Sequence, residues 1–391
     1  MKKMIIAFSA LTGIAFNAYA QSSVTLYGII DEGLLVNTNA GGHRQYALTS
    51  GNVSGSRWGV RGSEDLGGNL SAIFVLESGF NGSTGSLGQN GTFFGRQVYV
   101  GFTSPTWGTA TLGRQYPTEY DYVGPLTAGG DWAASGAGFG AHPADLDNLD
   151  GTYRFNNSVK YRSPSYAGFS FGAQYSVGGV AGNFTRNEIY SLGTGYNAGP
   201  VTIGAAFTYA KNPNFSVFGT RTNDSATGSN MSGPVISGFA SAATQQIAAV
   251  GASYKIGAGS ISAAYSNTVY GKLGSTAIAG GAAPLTRGSA VFNIYETSAK
   301  YYLTPTLQVA AAYAYTQGSS LAGQSGAKYN QVDLGANYFL SKRTDLYALA
   351  FFQKASGHDS TGHSAVAQLA FASASTSDRQ LIGLVGIRHK F

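Results

Sequence analysis

After its first 20 residues the chain reads as a succession of short segments with a period of two. Phe169, Phe171, Ala173 and Tyr175 alternate with Ser170, Gly172, Gln174 and Ser176. Val201, Ile203, Ala205, Phe207 and Tyr209 alternate with Thr202, Gly204, Ala206 and Thr208. The same rhythm holds for Leu307, Val309, Ala311, Tyr313 and Tyr315, and for Val332, Leu334, Ala336 and Tyr338. Successive side chains of a strand point to opposite faces, so each segment is a strand with one apolar and one polar face.

The connections alternate in length. Short turns at 64–69, 104–108, 163–168, 197–200, 257–260, 303–306 and 340–344 make seven hairpins, hence 14 strands. An opening strand at 24–36 and a closing strand at 378–391 make 16. Long polar links fall at 37–50, 81–92, 116–153, 177–187, 210–244, 268–289, 316–327 and 355–377. Short turns at one end and long loops at the other are the pattern of a transmembrane barrel. A soluble sandwich or propeller would carry more charge on its exposed face; here charged residues are only 11%. The fold expected is all-β: a 16-stranded antiparallel transmembrane β-barrel with short periplasmic turns and long extracellular loops. Hydrocarbon tolerates no open sheet edge, so the first and last strands should pair. A barrel of this size encloses an aqueous channel rather than a filled core.

Residues 1–20 have the marks of a secretory signal peptide: Lys2 and Lys3, an apolar stretch at 4–16, then Ala18-Tyr19-Ala20. Residues 21–391 then form one barrel domain, located in the cell outer membrane after export through the periplasm. There is no cysteine, so a disulfide scaffold is excluded. No run of 18 apolar residues follows the signal, which leaves no candidate transmembrane helix. Without Lys2 and Lys3 the 24 bases become 22 against 18 acids, a charge of +4 with no basic run, which does not suggest nucleic-acid binding. Nucleophile-elbow, zinc-protease and phosphate-loop motifs are absent, and the five histidines lack metal-ligand spacing. Neither an enzyme nor a metal or cofactor is expected.

One link stands apart. Residues 117–151 hold six acids and no Lys or Arg, and Arg114 and Arg154 flank them. Its glycines, Pro117, Pro125 and Pro143 oppose a long regular element, and so long an irregular stretch is usually functional or disordered. Strand parity supplies possible partners. Trp58 and Val60 are apolar, so Arg57, Gly59 and Arg61 should face the lumen. Arg96 should do so too, because a base facing lipid at the midplane costs ~2–4 kcal/mol. Arg154 precedes a strand whose Lys160 and Arg162 alternate with Val159 and Tyr161. Glu32 and Gln97 fall on the outward phase, which places them at a subunit interface or at strand ends.

Ser22-Ser23-Val24-Thr25-Leu26-Tyr27-Gly28, Ser56-Arg57-Trp58-Gly59-Val60-Arg61-Gly62-Ser63-Glu64-Asp65-Leu66-Gly67, Gly95-Arg96-Gln97, Leu112-Gly113-Arg114-Gln115, Asn157-Ser158-Val159-Lys160-Tyr161 and the terminal Val385-Gly386-Ile387-Arg388-His389-Lys390-Phe391 occur in this order. Together they resemble the trimeric general-diffusion porins of Gram-negative bacteria, particularly those of betaproteobacteria. The resemblance implies a homotrimer amid outer-membrane lipid and lipopolysaccharide, with passive diffusion of small hydrophilic solutes and ions. It also implies that the third long loop folds into the lumen and that a basic wall opposes its acids. Arg57, Arg61, Arg96 and Arg154 match the wall; Glu119, Asp121 and Asp131 are the loop candidates. Phe391 matches the terminal signal read by the barrel-assembly machinery. The chain departs from the family at Val75, where a polar residue is frequent, and in the Gly- and Ala-rich stretch 128–140. The alternative is a substrate-selective channel for small anionic solutes.

Overall fold

The computed structural model describes residues 23–280 and 288–391, so the expected signal peptide lies outside the described residues. The strands are β1 (Ser23–Ala40), β2 (His43–Ser50), β3 (Arg57–Gly67), β4 (Leu70–Gly79), β5 (Gln97–Ser104), β6 (Gly108–Gln115), β7 (Phe155–Arg162), β8 (Phe169–Ser176), β9 (Ile189–Ala198), β10 (Val201–Lys211), β11 (Thr244–Ile256), β12 (Gly259–Gly271), β13 (Ala290–Thr304), β14 (Leu307–Gly318), β15 (Lys328–Phe339), β16 (Thr344–Ser356) and β17 (Arg379–Lys390). Each pairs antiparallel with its neighbours in one continuous sheet. The ring closes where β1 meets β17, from Ile29 opposite Lys390 to Asn37 opposite Ile382. Gly28 and Phe391 then exchange backbone hydrogen bonds of 3.0 and 3.1 Å, so closure reaches the last residue.

Among the described residues, seventeen segments occupy sixteen positions, because β2 and β3 share one. The upper part of β1 pairs with β2, and its lower part, Ser23 to Ile29, pairs with β3. The long link expected at 37–50 is therefore mostly strand. Gly41 and Gly42, at φ 62° and 93°, make a two-residue hairpin turn of the kind that suits strand twist. Tyr46 and Leu48 beyond it continue the outward apolar face. The irregular segment lies instead at 51–56, where the shared strand breaks and dips into the lumen. Asn52 Nδ2 donates to Tyr347 Oη (2.9 Å), the Ser54 amide donates to Asp31 Oδ2 (2.8 Å), and Arg388 Nη1 donates to Ser54 Oγ (2.7 Å).

The outer surface is apolar. Val24, Leu26, Leu34, Val100, Leu112, Val159, Phe169, Phe171 and Leu192 are all exposed, as lipid-facing residues should be. Tyr190 stacks on Tyr209 and Tyr265 lies against Tyr295, while Phe169 and Tyr196 meet beside the short turns; aromatic rings favour such interfacial depths. Glu32 does point outward, but in the middle of β1, where Ser83 Oγ of the second long loop donates to it (2.6 Å). Gln97 is not outward. It pairs with Glu77, and Tyr99 with Val75, on the luminal face, while Val100 and Phe102 face out. The irregular backbone at Gly95 and Arg96 shifts the phase by one residue: the Arg96 amide still bonds Glu77 O, yet Arg96 precedes the strand.

Inside the ring runs the third long loop. Its short helix Thr118–Tyr122 lies against β9 and β10. The Ala128 amide donates to Glu296 on β13 (2.6 Å), Phe139 lies against Phe351 on β16, and the Ala137 amide donates to Asn52 O (2.9 Å). The loop thus lines the wall from β9 to β16 and touches the dip in the second strand position. Small residues at 128–140 permit this close approach: a Cβ on Gly136 would lie 1.9 Å from Gly51 O and 2.3 Å from Gly55 N. Above it, Phe218 and Phe239 of the loop after β10 and Ala367 of the loop after β16 join Leu146 and Phe155 in an apolar cluster. Gly136→Val should detach the loop tip from the dip, and single-channel conductance should rise. Unchanged conductance with unchanged protease resistance of the loop would show that the contact does not hold it.

Candidate functional site: an arginine-lined constriction

Between the third loop and the wall of β3 to β7 remains a polar passage of about 260 Å³. Arg57, Arg96, Arg154 and Arg221 line it with Tyr116, Tyr120, Asp150 and Phe371. Each arginine is held by a local feature. Arg57 opens β3, and its Nε donates back to Gly55 O in the dip (2.8 Å). Arg96 Nε donates to Glu77 Oε1 (2.8 Å). Arg154 Nη1 donates to Thr152 O (2.8 Å). Arg221 arrives from the loop after β10 and pairs with Asp224 at 3.3 Å. Behind them Arg114 Nε donates to Gly95 O (3.0 Å) and its Nη1 to Asn156 Oδ1 and Thr220 O, which ties the second and fifth long loops to the wall.

Tyr116, the first residue of the third loop, sits between two of these cations. Arg96 Nη2 and Arg154 Nη2 each donate to its Oη at 2.6 Å. The Arg154 guanidinium lies 4.5 Å from the ring centroid, and Tyr120 stacks on the ring at 4.3 Å.

Of the four wall residues expected from sequence, Arg57, Arg96 and Arg154 converge here. Arg61 does not; it lies over the Tyr27 ring at 5.3 Å, further along the lumen. None of Glu119, Asp121 and Asp131 lines the passage. Asp121 pairs with Lys160 on β7, and Asp131 pairs with Lys300 on β13. Glu119 is buried against β9 and β10, where Thr208 Oγ1 and Ser191 Oγ donate to it, and Asn148 Nδ2 adds a third bond. Acids at the ends of a loop that hugs the wall meet the wall's own polar groups before they meet the far side. Burial pushes Glu119 up to about 7, and its three donors only partly offset this.

The loop's return is held by an ionic clamp. His142 Nδ1 lies 2.7 Å from Asp147 and Nε2 lies 3.0 Å from Glu296. Burial opposes a charged imidazole, yet Asp147 and Glu296 hold His142 well above its usual range. Burial likewise opposes ionised Asp147, and the imidazolium overrides it. The passage keeps one loop acid, Asp150, which burial and neighbouring Asp145 push well above the carboxylate range. Asp150, Arg221, Tyr116 and Phe371 were not singled out from sequence. Asp150 was one of six acids with nothing to rank them, and Arg221 and Phe371 belong to loops without periodicity.

A closed ring of strands with an apolar exterior and a polar, arginine-lined interior defines a water-filled transmembrane channel. The Gram-negative porin family model matches residues 7–357. An outer membrane porin protein of Bordetella pertussis is 32% identical, and outer membrane porin protein 32 of Delftia acidovorans is 30% identical, each over 100% of both chains. The anion-selective porin from Comamonas acidovorans has the same fold, with TM-score 0.71 and 24% identity over 95% of this chain and 100% of that one. The chain belongs to the Gram-negative porin family. It is an outer-membrane channel for passive diffusion of small hydrophilic solutes and ions, and not an enzyme.

The buried acid carries a pH dependence. A carboxyl whose folded pKa is raised favours the neutral form, so its contribution is full below about pH 4.5 and falls as pH rises to about 7. Glu119→Gln should remove this loss and stabilise the barrel at pH 8 by on the order of 3 kcal/mol relative to the parent. Thermal melts in detergent at pH 5 and pH 8 test it; an equal pH slope in both proteins would exclude Glu119 as the source.

Proposed function

We propose that the passage favours anions. The observation that carries this reading is its charge inventory. Glu77 offsets Arg96 and Asp224 offsets Arg221. Arg57 and Arg154 then leave two guanidinium groups against the single carboxyl of Asp150, whose ionisation burial and neighbouring Asp145 disfavour. Glu119, Asp121, Asp131 and Asp147 are engaged elsewhere. A net positive, low-dielectric constriction concentrates anions and repels cations. Guanidinium suits the role because it stays charged at any working pH. Planar-bilayer recordings in a KCl gradient should give reversal potentials of anion-preferring sign. Arg57→Ala with Arg96→Ala, which leaves Glu77 unpaired, should shift them toward cations and raise conductance; unchanged potentials would refute the reading. A substrate-selective channel for small organic anions draws support from Phe371, whose half-exposed ring borders the same passage. Saturating current favours that second reading, and linear current favours general diffusion.

The assembly we infer is a homotrimer of single-domain barrels, residues 21–391, exported by the signal at 1–20 and set among outer-membrane lipid and lipopolysaccharide. Phe391 is the residue presented to the barrel-assembly machinery. Its support is position: it lies outward with Leu381, Val385 and Ile387 beside the closing β1–β17 seam, and its ring lies against Gly28. Deleting Phe391 should lower the yield of assembled trimer while leaving the conductance of assembled channels unchanged; equal yields would dismiss the role.

A further inference from the structure

Tyr116 Oη accepts two charge-assisted hydrogen bonds, from Arg96 Nη2 and Arg154 Nη2, both at 2.6 Å. A phenol offers one proton and two acceptor sites, and both partners here are donors only. Among the described residues, the hydrogen bonds at this oxygen are these two, both donated to it. A retained proton would sit on an oxygen that already faces two guanidinium donors, whose positive charge disfavours it. The oxygen, by contrast, has the environment an oxyanion requires: two short charge-assisted bonds and a third guanidinium, Arg57, on the same passage.

We propose that Tyr116 holds its phenol as the phenolate counter-ion of the Arg96–Arg154 pair and thereby sets the charge, and with it the ion preference, of the constriction. The proton leaves to luminal water, and no other bond changes. The proposal rests on the anion-favouring reading for its effect on ion preference, but the ionisation itself is independently measurable.

The groups facing Tyr116 come from every element around it. Arg57 begins β3, Glu77 lies on β4, Arg96 precedes β5 and Arg154 precedes β7. Tyr120 stacks on the ring from the short helix, and Lys160 Nζ donates to the Tyr116 carbonyl (2.8 Å). Asp150 lines the same passage. Burial disfavours the anion, as does the charge of Glu77, yet Arg154, Arg96 and Arg57 override both and hold the phenol below its usual range. Tyr120 moves the other way, up to about 12, because burial and Tyr116 itself oppose a second phenolate. One of the two stacked rings therefore ionises well before the other.

Tyr116→Phe keeps the ring and its stacking and removes only the ionisable oxygen. Two readouts on the purified full-length porin separate the possibilities. Ultraviolet titration between about pH 6 and pH 10 should show one tyrosinate fewer in Tyr116→Phe than in the parent, below the ordinary tyrosine range. Reversal potentials in a KCl gradient over the same range should show the parent less anion-preferring than the variant wherever the phenolate is present, by severalfold in permeability ratio. If only the anion-favouring reading is wrong, the titration difference persists without an anion-preferring potential. Identical titrations, or a change in ion preference that is the same at every pH while no tyrosinate is lost, overturn the proposal.

Discussion

Every backbone N–H and C=O that faces hydrocarbon must find its partner within the sheet, and the pairing of β1 with β17 is where this chain meets that demand. The rest follows from the closure. A ring of sixteen positions is too wide for wall side chains to fill, so the lumen is open unless backbone enters it. Backbone does enter, at the dip of residues 51–56 and along the third loop. Its amides find partners on the wall and in the dip: Ala128 N–H donates to Glu296, Thr118 N–H to Ser191 Oγ and Ala137 N–H to Asn52 O.

A loop that crosses a water-filled lumen needs charge to hold its shape and small residues to lie flat. Four of its six acids meet the first need. Asp121 and Asp131 each meet a wall lysine, Asp147 meets His142, and Glu119 is taken up by hydroxyls. Glycines 129, 136, 138 and 140 meet the second, as a Cβ on any of them would strike backbone or a ring. Because these four acids are consumed in fastening, none of them pairs with the arginines of the opposite wall. The electrostatic character of the passage is thus a consequence of how the loop is anchored.

Strand identity was legible because alternation and short turns are local signals. All seven short turns lie where the sequence places them. The second strand position was misread because Gly41 and Gly42 have the composition of a loop while forming a two-residue hairpin. The phase of β5 was misread because one irregular residue before a strand reverses every face assignment after it. Arg96 was placed in the lumen on energetic grounds, and the cost of a buried charge outlasted the parity error.

By itself the sequence determined the barrel, its strand count and the inward-facing arginines, because lipid exposure and backbone periodicity are properties of each segment alone. Only the tertiary structure decided which charges meet. The partners of Asp121, Asp131, Asp147 and Tyr116 lie on strands and loops far apart in the chain, and nothing in local sequence orders six similar acids. Pairing across a lumen depends on distances that exist only after the ring has closed and the loop has chosen its wall.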